Sequence, residues 1–282
     1  GRDWTKKIVA ALNKNGATYY GKYIGGDVSI ISKYPILNSK LIYNGEGSIA
    51  LFEIETSQQT IVLAMAHLDY TKYACYLPRG YNGGTPNWKM IDDGSGNPLP
   101  AKTASEVIDY NLSSTRDEQI QAFLDEVKDE VRPVILMGDF NEPSHLDYTD
   151  STAHMFDHNG LTIPWNNTLT LEGNGFIDAY REYFPNPKLN PGITWPSYVT
   201  GKRSTSWTPK ADERDRIDYI FYKNEIENTS YAALVGPKKS YAYDTLTDSF
   251  TENENFIGEN LEWPSDHKAV FVRLKLKLPI NE

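Results

Sequence analysis

No purely apolar run in this sequence is longer than a strand: the clearest, Ile61-Val62-Leu63-Ala64-Met65-Ala66, has six residues. A membrane-spanning helix needs about 20, so these runs predict short core elements rather than a span. Segments 28–31, 40–43, 49–54 and 61–66 read as strands separated by Pro35, Asn44-Gly45 and Ser57-Gln58. Segments 134–137, 217–222 and 270–276 read as three more. Asp3 is a candidate cap for a helix with Trp4, Ile8, Ala11 and Leu12 on one face and Gly16 as its stop. Thr115 and Glu118 form a capping-box pattern ahead of Ile120, Phe123, Leu124 and Val127 at helical spacing. Two helices among many strands favour two packed, mainly antiparallel sheets with helices outside them.

The 282 residues contain no linker or repeat and fit one domain, 1–282. One stretch breaks the strand rhythm. Residues 70–114, rich in Gly and Pro and carrying Tyr73, Tyr76, Arg79, Tyr81 and Trp88, read as a long surface insertion, a rim or lid. With 28 Lys+Arg against 38 Asp+Glu the net charge is −10, which disfavours binding a phosphate backbone by bulk charge. The single cysteine, Cys75, excludes an internal disulfide framework and any multi-cysteine metal site. Residues 1–15 lack a continuous apolar stretch of the signal-peptide kind, and the compartment, secreted or cytoplasmic, stays open. No protein partner is evident.

Polar clusters mark the ends of the expected strands: His67-Leu68-Asp69, Gly138-Asp139-Phe140-Asn141, Asp218 in Arg216-Ile217-Asp218-Tyr219, and Ser265-Asp266-His267. In this order, and with Ile30-Ile31-Ser32-Lys33-Tyr34-Pro35-Ile36, Arg116, Phe176-Ile177-Asp178-Ala179-Tyr180 and Thr194-Trp195, the chain resembles the endonuclease/exonuclease/phosphatase superfamily. That resemblance implies a DNase I-like α-β-β-α sandwich and hydrolysis of a phosphoester assisted by Mg2+, or by Mn2+ or Ca2+. The chemistry suits the residue types. An anionic phosphodiester repels hydroxide, so a site must deprotonate and align water and neutralise the phosphoryl oxygens.

Carried over on these motifs, His267 lies beside the scissile phosphate, Asp218 orients its imidazole, Asp139 positions or deprotonates water, and His67 and Asn141 donate to phosphate oxygens. Asp266 is the implied metal ligand, with Asp139 and Asn141 as further ones. Asp69, Tyr70, Arg116 and Trp195 are implied substrate contacts, Arg116 as a bidentate phosphate clamp. The substrate is either nucleic acid or a smaller phosphoester, and the acidity favours the smaller. The family's opening Asn-bearing strand and its Gln-Glu strand have no counterpart: residues 1–16 match the helix that follows them, and Glu46, Glu53 and Glu55 do not match the Glu. This leaves a catalytically inactive binding or scaffolding member as the alternative. His145, His154 and His158 read as solvated or turn histidines in polar loop sequence rather than a metal cluster, and Asp125-Glu126 with Asp129-Glu130 as a wet helix face.

Overall fold

The structure, a computed structural model, describes residues 4–85, 88–202, 204, 206–249 and 253–277. Its largest sheet has six strands in the order Ile36–Gly45, Gly47–Glu55, Thr60–His67, Val134–Asp139, Asp218–Lys223 and Ile177–Asp178. Consecutive hairpins build the first three strands, as the turn signals require. Thr60–His67 and Val134–Asp139 then pair parallel, and every other pair in the sheet is antiparallel. A second sheet is formed by Phe256–Ile257, Ile226–Val235 and Ala269–Leu276. The molecule is thus a mixed α/β fold with two main, mostly antiparallel sheets.

The period of two along a strand sorts side chains between two faces. On one face of the large sheet Val62, Ala64, Val134, Leu136 and Phe221 pack under Ile120, Phe123, Leu124 and Val127 of the helix Arg116–Val127. On the other, Ile61, Leu63, Met137 and Ile220 meet Val272, Leu274 and Leu276 of the second sheet. No helix among the described residues is long and apolar enough to cross a membrane.

Three expectations need correction. The first helix, Thr5–Lys14, turns Trp4 and Ile8 outward, at 54% and 46% exposure, and buries Thr5. It lies on the small hairpin of Tyr20–Lys22 and Ile30–Ser32, where Gly21 has no Cβ to strike Thr5 and Val9; Asp3 lies outside the described residues. At the second helix, the Thr115 N–H and hydroxyl do not close a capping box but donate to Asp69 Oδ2, at 2.9 and 3.2 Å.

The third correction is to 70–114, which is not all surface: residues 91–99 stay largely exposed, but much of the rest joins a buried cluster with Tyr148, Trp165 and Trp195. The 3-10 helix Ala74–Arg79 and the α-helix Ala104–Asn111 bury Cys75, Tyr76 and Val107 against Trp165 and Trp195. Arg79 is fully enclosed, donating to both Asp215 oxygens, at 2.6 and 3.1 Å, and to the Asp212 carbonyl. A buried guanidinium without such partners would be prohibitively costly. The Gly and Pro content that suggests a surface excursion instead serves turns between buried anchors.

Candidate active site

Strand register creates the site. His67 pairs with Asp139 across the parallel ladder, and Asp139 pairs with Asp218 across the antiparallel one, so the three residues form one row at one end of the sheet. Their parity places them on the face toward the second sheet. Gly138 permits the arrangement: at φ +146°, a Cβ there would stand 1.7 Å from the Ala66 carbonyl oxygen. His267 arrives from the other sheet, just ahead of Ala269–Leu276. Thr194 ties the two sides together, its hydroxyl accepting from Ile217 N–H (3.1 Å) and its carbonyl from Lys268 N–H (2.8 Å).

The result is a line of alternating charge. His267 Nδ1–H donates to Asp218 Oδ2 at 2.9 Å, and His67 Nδ1–H donates to Asp27 Oδ2 at 2.5 Å. Their Nε2 atoms stand 3.8 and 3.9 Å from the same oxygen, Asp139 Oδ2. Those separations are too long for direct hydrogen bonds, so both Nε2 atoms face the space around Asp139. Burial works against a charged His267, but Asp218, then Asp139, outweigh it and raise its pKa to about 10. The hydrogen bond that His67 donates to Asp27 is the main cause raising its pKa. Burial, then repulsion from Asp218, pushes Asp139 up to about 6, against the pull of the two histidines.

The row opens into a cavity of about 280 Å3 whose lining includes His67, Tyr70, Asp139, Asn141, Trp195, Asp266 and His267. Asn141, at φ +49°, spends one amide N–H on the Leu68 carbonyl at 3.0 Å, leaving its other N–H and its Oδ1. Tyr70 stacks beside His67 (ring centroids 6.1 Å apart), and Trp195 lies tilted at 44° against His267 (4.9 Å). Asp266 lies in the wall but outside the converging group of Asp139, Asp218 and His267.

Two expected substrate contacts are structural instead. Asp69 is buried, accepting from Thr71 and Thr115 and thereby capping the helix. Arg116 is fully buried and donates to the carbonyls of Asp69 and Lys72 (2.7 Å to the latter) and to Asn111 Oδ1. Its side chain is fully buried, with Nε 3.5 Å from Glu142, and it is not among the residues that line the cavity. Of the three loop histidines, His154 is exposed and His145 lies in a turn, as expected, and the third differs. His158 is buried, its ring 3.6 Å from that of Tyr148, and His145 bonds Thr168 and Glu172. Asp27 is the residue that sequence reasoning missed. It follows Gly25-Gly26 in a loop with no strand-end signature, and only its position 40 residues before His67 in the chain, folded back, reveals it. Trp207, a lone aromatic in polar sequence, was likewise not marked out.

Comparison with known proteins places this geometry. A family model described as Endonuclease/Exonuclease/phosphatase family matches residues 2–267. The chain belongs to that family. An uncharacterized protein of Caenorhabditis elegans is 32% identical over 214 residues, which is 73% of this chain and 57% of the relative, so the chain spans little more than half of that protein's length. Two solved structures are similar to this chain at low identity. Truncated TDP2 of Caenorhabditis elegans is 14% identical, covering 96% of this chain and 81% of its own, with a TM-score of 0.49. The catalytic domain of human nocturnin with bound sulfate is 13% identical, covering 95% and 74%, with a TM-score of 0.47.

Members of the endonuclease/exonuclease/phosphatase family are hydrolytic phosphoesterases, generally dependent on a divalent metal. In this chain Asp139, Asp218 and His267 each offer a ligand atom, all within 4.8 Å of one another. Two carboxylates held this close repel each other, and a hard cation relieves that repulsion through oxygen ligands. The imidazole commits Nδ1 to Asp218 at 2.9 Å, which leaves Nε2 as its one nitrogen facing the group.

Proposed function

We propose that the chain hydrolyses a phosphoester at Asp139. The observation that carries this reading is the shared oxygen: two carboxylate-held imidazoles each bring Nε2 within 4 Å of one Asp139 oxygen. A phosphate among them receives N–H donors from His67 and His267, which neutralise its non-bridging oxygens as charge builds in the transition state. Asp139 orients the attacking water and takes its proton. The His267 imidazolium returns a proton to the departing oxygen, and Asp218 stabilises the ring throughout. The free N–H of Asn141 adds a further donor. A divalent ion such as Mg2+, Mn2+ or Ca2+ would supply charge neutralisation and a more acidic water. Asp139, the outer oxygen of Asp218, Asn141 Oδ1 and Asp266 are the oxygen donors suited to hold it.

The cavity's size and aromatic wall favour a small phosphodiester or phosphomonoester over a nucleic-acid duplex. The insertion supplies much of that wall, through Tyr70, Tyr73, Tyr76 and Trp88, and so helps select the substrate. The test is hydrolysis of bis-p-nitrophenyl phosphate and p-nitrophenyl phosphate with Mg2+ or Mn2+, by the wild type and by His267→Ala. Turnover that falls about 10²- to 10⁴-fold in the variant supports the reading. Equal turnover in both proteins, or none in the wild type with any ion, would refute it and leave an inactive binding member.

A further inference from the structure

The polar floor is only one side of the cavity. Six aromatic residues make up most of the rest: Tyr70, Tyr73, Tyr76, Trp88, Trp195 and Trp207. Their faces are not parallel. Trp88 and Trp207 meet at 59° with centroids 4.6 Å apart, and Tyr73 and Tyr76 at 82°, also 4.6 Å apart. A lining of aromatic side chains offers π-faces, which attract a cation beyond what apolar contact alone gives. None of the described lining residues is Lys or Arg, and Asp266 adds a carboxylate to the wall. The box is also held firmly: Glu213, fully buried, accepts from the Tyr76 hydroxyl at 2.8 Å and from the Trp207 backbone N–H at 2.9 Å.

We propose that this aromatic wall is a subsite for a cationic nitrogen group, quaternary or protonated, carried on the alcohol of the phosphoester. The inference rests on the phosphoester reading above and names its substrate class: a zwitterion, with phosphate on the histidine floor and ammonium against the rings. An uncharged alkyl group gains apolar contact from the same rings but no attraction to the quadrupoles. A nucleic-acid strand meets a wall without a described cation to match its other phosphates.

Titration calorimetry on the full chain separates these cases, with phosphocholine set against its uncharged carbon isostere, 3,3-dimethylbutyl phosphate. The expected result is about 5- to 20-fold tighter binding of phosphocholine, with the ratio falling toward one in Trp207→Ala. Trp207 is 49% exposed, so its loss removes little core; Trp88→Ala provides the second variant. Equal affinities in the wild type would overturn the proposal, as would tighter binding of thymidine 5′-phosphate than of phosphocholine. Turnover of p-nitrophenyl esters reports separately on the hydrolytic reading. Equal affinities with turnover intact sink the subsite alone, and a clear choline preference without turnover on any ester sinks hydrolysis alone.

Discussion

An imidazole whose Nδ1–H is held by a carboxylate presents its Nε2 in a fixed direction and keeps its proton more readily. Asp27 does this for His67 as Asp218 does for His267. Asp27→Asn is therefore expected to lower turnover about tenfold while leaving the fold intact, because Asp27 sits in an exposed loop and its side chain is 40% accessible. Steady-state kinetics together with a thermal melt check both halves; an unchanged kcat would show that His67 needs no orientation. His67, Asp139, Asn141, Asp218 and His267 were legible in the sequence because each sits in a short motif at the end of an apolar strand. Asp27 was not, since its only distinction is a partner supplied by folding. Asp69 and Arg116 were misread for a related reason: a motif gives the residue type but not the burial that commits these two to capping and to backbone carbonyls.

Elements tell a similar story. The hairpins through His67 follow from local turns, whereas the 70–114 segment could not be read because its core depends on residues more than 100 positions away. Arg79 is the link, and Arg79→Met leaves Asp215 buried without its cation. Denaturant unfolding should show a loss of about 3–5 kcal/mol, largely recovered when Asp215→Leu is added. Independent, additive losses would mean that the pair does not anchor the insertion. A second element is pinned by a buried acid: Tyr180, in the helix Ala179–Tyr183, and the Gly192 N–H both donate to Glu254, at 2.7 and 2.6 Å. Burial raises Glu254 to about 7, above its ordinary 4.5. The folded state then holds more protons than the unfolded one between those values, so this group's contribution to stability falls as pH rises from about 4.5 to 7. Glu254→Gln should flatten that decline by about 1–3 kcal/mol in melts compared at pH 5 and pH 7. An identical pH slope in both proteins would contradict it.

At the scale of the whole molecule, the site exists because two sheets meet. One contributes the row His67, Asp139 and Asp218, the other delivers His267, and the loop carrying Asp27 closes the far side. The order of motifs announces these parts, and the net charge of −10 argues against bulk attraction to nucleic acid. Neither announces the shared Asp139 oxygen, which depends on strand register and on how the sheets pack. On the proposed reading the two histidines act as a unit on one phosphate, and the losses from removing members of a unit do not multiply. The most direct measurement is kcat/KM on one phosphodiester for wild type, His67→Ala, His267→Ala and the double variant. The double variant is expected to fall little further than His267→Ala alone; losses that multiply in full would show that the two imidazoles do not act together on one phosphate.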